Sequence, residues 1–264
     1  MKSSNVATMR LYESLTPKTA LSYLEKMHFS HLVERDYKYY TTCLGGMTYG
    51  VTTEEMAAGF ATLANDGEYR APTCIEEITD SSGALIVKGS TGTKKIYSKS
   101  AANMMTDVLE SVVTGGTGKG TKINGFDTAG KTGTTSDYRD GWFCGYTPYY
   151  TTAIWVGRDD HKIMYNLHGN TYPAYIWKDF MDDIHKNLDS IENFKNYDGG
   201  ESSIPASTQK TEASTAKSSD TTAASTEATT TEAATTEATT TEAPTTAAPT
   251  TEAPSDTPSD EDGE

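Results

Sequence analysis

The composition of this chain changes abruptly at Glu201, and that break limits what can fold. Beyond it there is no Leu, Val, Met, Phe, Tyr, Trp or Cys, and Ile204 is the only large aliphatic residue. Such a segment cannot bury enough apolar surface to offset the entropy lost on ordering, so 201–264 is predicted to be a disordered tail. Thr-Thr-Glu-Ala-like units recur in it, with Glu227, Glu232, Glu237 and Glu242 five apart, and Pro244, Pro249, Pro254 and Pro258 stiffen its end. Charge repulsion and proline should keep it extended as a spacer. Residues 1–200 mix apolar, aromatic and charged positions, and are long enough for one core or for most of a larger one.

Charge follows the same division. The tail holds 13 acidic and 2 basic residues, a net of −11, which leaves −4 of the total −15 for residues 1–200. With no concentrated basic patch, and an acidic tail that phosphates and anionic lipid repel, nucleic acid is not an expected partner. Cys43, Cys74 and Cys144 are widely spaced and form no CxxC pair or Cys/His ligand cluster. Buried free thiols are therefore expected, with neither a metal site nor a cofactor. No apolar run reaches the length of about 18 residues that a membrane helix needs. Met1 to Val6 lacks the apolar core of a signal peptide. A tail suited to the cell exterior on a chain without an export signal predicts a longer parent sequence.

Local signals predict helices and strands in a definite order. Ser3 to Leu15 reads as a loop entering a short helix, with Val6, Met9 and Leu11 inward. Thr16-Pro17 starts a second helix, capped by Thr16 and carrying Leu21, Leu24 and Met27 on one face. Tyr37 to Gly50 is loop-like. Thr52-Thr53-Glu54-Glu55 is a capping box for a helix with Met56, Phe60 and Leu63 inward, closed at Gly67. Cys74–Ile78 and Ala84–Val87 flank a turn and predict a hairpin. Ser98 caps a helix whose buried stripe is Ala102, Met105, Val108 or Leu109, and Val112. Strands at Asp127–Thr134, Gly141–Tyr146 and Tyr150–Val156 have short connections that favour an antiparallel meander. A closing helix over Tyr175–Leu188 would bury Ile176, Phe180, Ile184 and Leu188. The fold class is α+β, an antiparallel sheet flanked by helices.

Two constellations carry chemistry. Lys131-Thr132-Gly133-Thr134 lies on a predicted strand between a glycine-rich loop and a hairpin. Alternation places the Thr132 and Thr134 hydroxyls on one face, and Gly133 lets a peptide backbone approach the strand edge. Lys131 adds a positive charge, completing a receptor for the free C-terminus of a peptide. Ser3-Ser4-Asn5 is of Ser-x-Asn form, which suits a proton-relaying serine and an amide that orients an acyl group, or a helix cap. Gly115-Gly116-Thr117-Gly118-Lys119-Gly120-Thr121 is not a phosphate-binding loop, since Gly120 stands where Ser or Thr is required and the loop follows a helix.

With Gly50 to Ala57, Ala64-Asn65-Asp66-Gly67, Val113 to Gly120, Ala129 to Thr135 and Trp155-Val156-Gly157, these motifs make residues 3–185 resemble the transpeptidase domain of class A (bifunctional) penicillin-binding proteins. The resemblance implies part of a penicilloyl-serine-transferase, β-lactamase-like fold. It also implies D,D-transpeptidase activity that cross-links peptidoglycan stem peptides through a serine acyl-enzyme, outside the cytoplasmic membrane. D-Ala-D-Ala stem peptides and β-lactams are the implied partners. Ser3, Asn5 and Lys131 would be catalytic, Thr132, Gly133 and Thr134 would bind substrate, and the Thr134 N–H would form half of an oxyanion hole. The family's nucleophile, in a Ser-x-x-Lys motif, is expected before Ser3. The matches in this chain, Ser207–Lys210 and Ser214–Lys217, fall in the tail and read as chance. The chain alone is thus expected to be inactive. The alternatives are a non-catalytic module that binds cell-wall peptide, and a serine β-lactamase.

Overall fold

The computed structural model describes residues 3–89, 92–188, 192–195 and 197, all within one compact unit spanning Met1–Thr211. The predicted tail, its repeats and both of its Ser-x-x-Lys matches lie outside the described residues.

Three helical pieces open the chain: α1 (Asn5–Leu15), α2 (Pro17–Lys26) and a short 3-10 helix (Tyr40–Leu44). Thr16 caps α2 as expected, its hydroxyl accepting from Thr19 N at 3.4 Å with Pro17 at the first helical position. Leu21 and Met27 are buried, and Leu24 packs beside Met27. The expectation for α1 is corrected: Val6 and Leu11 are exposed, and the buried residue is Tyr12. Tyr12 meets Tyr40 edge-on at 6.2 Å, so an aromatic contact rather than an aliphatic stripe fixes this helix.

Helix α3 (Thr53–Ala64) begins at the predicted capping box. Thr52 Oγ1 accepts from Glu55 N at 3.1 Å, and Glu55 Oε2 accepts from Thr52 N at 2.8 Å. Glu55 Oε1 also accepts from Ser30 N at 2.7 Å, tying α3 to the segment after α2. Met56, Phe60 and Leu63 are half-buried and pack on core clusters, while Ala58 and Thr62 are the fully buried positions. Gly67 ends the helix region at φ +87°, where an added Cβ would lie 2.4 Å from Tyr97 O.

Strands β1 (Glu68–Arg70) and β4 (Thr93–Lys95) pair antiparallel, and between them β2 (Glu77–Thr79) and β3 (Leu85–Lys88) form the predicted hairpin. Helix α4 (Lys99–Gly115) starts at Ser98, whose hydroxyl accepts from Ala101 N at 3.1 Å. Ala102, Leu109 and Val112 are buried as predicted, but Met105 is exposed and Thr106 takes its place. The Thr106 hydroxyl bonds Ala102 O at 3.0 Å and Tyr146 Oη at 2.8 Å, so a threonine can be buried there with its polar atom satisfied.

The central sheet is the predicted meander, β5 (Ala129–Thr134), β6 (Asp140–Tyr146) and β7 (Thr151–Gly157), in that spatial order. Helices α3 and α4 cover one face, where Leu109, Ala129 and Tyr146 form a core with Phe60 and Leu63 packed against it. Helix α5 (Tyr172–His185) covers the other. Its buried residues are Pro173, Ala174, Trp177, Met181 and His185, not Ile176 and Phe180, which are exposed, or Ile184, which is half-buried. Pro173, Trp177, Met181 and His185 recur at steps of four, as the predicted set does, one residue apart from it. The sheet takes the set with the indole: Trp177 packs on Phe143 at 5.0 Å and donates to Thr152 O at 3.1 Å.

Cys144 is buried as predicted, but Cys43 is half-buried and Cys74 exposed; all three are free. Among the described residues no helix is long and apolar enough to cross a membrane, and no cluster of His, Cys, Asp or Glu is arranged to hold a metal.

Candidate active site

Strand β5 lies at the end of the three-stranded sheet and carries Lys131, Thr132, Gly133 and Thr134 opposite Cys144, Phe143, Trp142 and Gly141 of β6. One side of β5 is therefore paired, and no described strand pairs with the other. The reason for this local form is visible in the glycines. At Gly130 a Cβ would come 2.8 Å from Phe143 Cζ, and at Gly133 it would lie 3.1 Å from Trp142 Cβ, so side chains there would push β5 off β6.

Thr132 and Thr134 share the α5 face, as alternation requires, but each is engaged by a different loop. Thr132 Oγ1 lies 2.8 Å from Thr117 Oγ1 of the glycine-rich loop after α4. That loop has a role as the neighbour of β5. Thr134 Oγ1 accepts from Gly169 N, in the loop before α5, at 2.9 Å.

Lys131 points to the opposite face and is half-buried. Its Nζ donates to Thr132 O at 2.7 Å, and burial holds its pKa below the ordinary lysine value. A partly desolvated cation beside an unpaired strand edge attracts an anion more strongly than a solvated one would.

Ser3 and Asn5 are exposed at the start of α1, which packs on the 3-10 helix and on α2. The N-cap is Ser4, without a side-chain cap bond. The structure thus brings Lys131, Thr132, Gly133 and Thr134 together on one strand. Among the described contacts no hydrogen bond joins Ser3 or Asn5 to them.

The contacts of Thr117 and Gly169 with β5 were not legible in the sequence. Nothing in local periodicity shows that two loops, 15 and 35 residues from their threonine partners, return to one strand.

A helix-covered antiparallel sheet with Lys-Thr-Gly-Thr on its end strand is the penicilloyl-serine-transferase architecture expected above. The family model for the penicillin binding protein transpeptidase domain matches residues 1–182, and the chain belongs to that family. Penicillin-binding protein 4 of Bacillus subtilis is 36% identical over 176 residues, covering 67% of this chain and 28% of that protein. Penicillin-binding protein 1A of Clostridium botulinum is 31% identical over 189 residues, 71% of this chain and 23% of that one. The chain spans about a quarter of the length of these relatives. Among solved structures, the PonA1 protein of Mycobacterium tuberculosis in complex with penicillin V is similar at a TM-score of 0.63 and 26% identity, over 71% of this chain and 55% of that one. Penicillin-binding protein 1A of Haemophilus influenzae shares the fold at a TM-score of 0.60 and 20% identity, over 74% of this chain and 34% of that one.

Proposed function

We propose that residues 1–200 form the carboxylate-docking part of a peptidoglycan D,D-transpeptidase, and that 201–264 are an acidic spacer. In the parent reaction a serine attacks the D-Ala-D-Ala carbonyl, D-Ala leaves, and an amine of a second stem peptide resolves the acyl-enzyme. The setting is the outer face of the bacterial cytoplasmic membrane, and β-lactams compete as acylating mimics of the peptide.

The observation that carries this reading is β5. Its outer edge is unpaired among the described strands, it bears no side chain at Gly133, and it presents one cation and two hydroxyls. A peptide laid along that edge gains main-chain hydrogen bonds, while the threonine hydroxyls receive its terminal carboxylate and Lys131, on the other face of the same strand, adds a positive charge nearby. The Thr134 N–H would supply half of the oxyanion hole. Ser3 and Asn5 would relay a proton and orient the acyl group. Their side chains are exposed, and no described hydrogen bond commits either to a structural role. Residues 1–200 contain no Ser-x-x-Lys, so the nucleophile and its lysine base would come from another part of a complete enzyme.

Calorimetric titration of the chain with an N-acylated peptide ending in D-Ala-D-Ala tests this directly. Saturable non-covalent binding, lost in Lys131→Ala, is expected, with no covalent labelling by penicillin. Absence of binding, or binding indifferent to Lys131→Ala, would refute the docking role. Penicillin mapped onto a serine within 1–200 would refute the missing nucleophile.

A further inference from the structure

We propose that Gly169, in the loop between β7 and α5, is a positioning residue that fixes the Thr134 hydroxyl as a hydrogen-bond donor to the ligand carboxylate. The inference rests on the transpeptidase reading and deepens it.

The direction of one hydrogen bond is the starting point. Gly169 N lies 2.9 Å from Thr134 Oγ1, and a backbone N–H can only donate, so the threonine oxygen accepts. Its own hydrogen then has no acceptor among the described residues. Thr134 is exposed, so that hydrogen is free for a ligand. Accepting one bond also polarises the hydroxyl and strengthens it as a donor. Thr132 differs: its oxygen faces Thr117 Oγ1, where either group could donate, so no direction is imposed.

Only glycine permits this contact. A Cβ at Gly169 would lie 2.5 Å from Gly133 O, 2.6 Å from Trp142 O and 2.8 Å from Gly133 N. All three are backbone atoms of the strands that carry the docking motif. No side chain can swing aside to make room, so any larger residue must lift the loop from β5 and break the bond to Thr134.

The loop is also held to the β5–β6 hairpin elsewhere, so the contact is part of a built clasp. Leu167 is fully buried, and a Cβ at Gly141 would meet its Cδ1 at 2.8 Å. Met164 N donates to Tyr138 O at 3.0 Å, and the His168 ring meets Tyr138 edge-on at 5.0 Å.

The test compares two peptides, one ending in D-Ala-D-Ala carboxylate and one in the corresponding carboxamide, against the whole chain and its variants. Wild type should favour the carboxylate. Thr134→Val should weaken carboxylate binding about tenfold, the loss of one charge-assisted hydrogen bond, and Thr134→Ser should restore it. Gly169→Ala should match Thr134→Val in both affinity and reduced preference for carboxylate, and the double variant should lose nothing further. A folded Gly169→Ala chain with wild-type affinity and preference would overturn the proposal, as would losses that multiply to about a hundredfold in the double variant. Should Gly169→Ala not fold, Thr134→Val decides: unchanged binding, or no faster exchange of the Gly169 amide, sinks the clasp. If wild type binds neither peptide, the docking reading fails and takes this one with it, an outcome distinct from failure of Gly169 alone.

Discussion

Glu110 offers the sharpest test of how the core beside β5 is built. It sits on the last turns of α4, and its carboxyl is pushed up to about 7 by burial first, then by Asp127 and Asp107, with Lys122 opposing. The sign follows from comparing states. Unfolded, the group ionises near the ordinary glutamate value of 4.5; folded, it resists ionisation, so its charged form costs stability. That cost is absent below pH 4.5, grows between pH 4.5 and about 7, and is complete above. A fully sequestered carboxyl with this shift would cost roughly 3.4 kcal/mol; Glu110 is only half-buried, and solvent screening reduces the figure to about 1–1.5 kcal/mol. Glu110→Gln keeps the shape and removes the titration. Urea unfolding should therefore show the variant about 1–1.5 kcal/mol more stable than wild type at pH 8.5 and indistinguishable from it at pH 4. An equal difference at both pH values, or a less stable variant at pH 8.5, would refute the argument. The same charge lies beside Asp127, whose Oδ2 accepts from Phe194 N at 3.0 Å, while the Phe194 ring packs on Tyr146 at 5.3 Å. Amide exchange at Phe194 should accordingly quicken as pH rises through 7, beyond the intrinsic pH dependence, and less so in the variant.

Other expectations concern single side chains. Trp177→Ala empties a fully buried site against Phe143 and removes the bond to Thr152 O, so a loss of about 3–5 kcal/mol in denaturant unfolding is expected; under 1.5 would contradict the packing described. Thr106→Val strands the buried Tyr146 hydroxyl and should cost about 1–3 kcal/mol, whereas adding Tyr146→Phe should recover part of it in a double-mutant cycle. Glu55→Gln weakens both the capping box and the tie to Ser30, for about 2 kcal/mol at pH 7. Hydrogen bonds hold the Glu55 carboxyl below its ordinary pKa despite the opposing effect of burial, so its contribution is present above the unfolded value and lost in acid; the variant should differ least from wild type near pH 3.

Much of this architecture was written locally. The Thr52–Glu55 capping box, the Thr16-Pro17 start, Ser98 as a cap and the three-strand meander each depend on residues within a few positions of one another, and all appear in the structure. Short connections leave adjacent strands little choice but to pair antiparallel. The placement of Lys131 to Thr134 on one strand was likewise legible, because the motif is contiguous and strand alternation fixes its faces. The abrupt loss of apolar residues at Glu201 is also a property of the sequence alone.

Tertiary structure decided what local pattern left degenerate. α5 carries two apolar stripes one residue apart, and only tertiary contact selects the buried one, Phe143 and Thr152 meeting Trp177, Thr152 meeting Met181 and Thr147 meeting His185. Met105 and Thr106 compete for one buried position, settled by the Tyr146 hydroxyl across the core. β1 and β4 are three-residue strands separated by a whole hairpin, so nothing near either announces the other. Thr117 and Gly169 belong with these. Their roles arise where distant loops close on β5, at separations over which chain connectivity imposes no geometry and only packing and hydrogen bonding do.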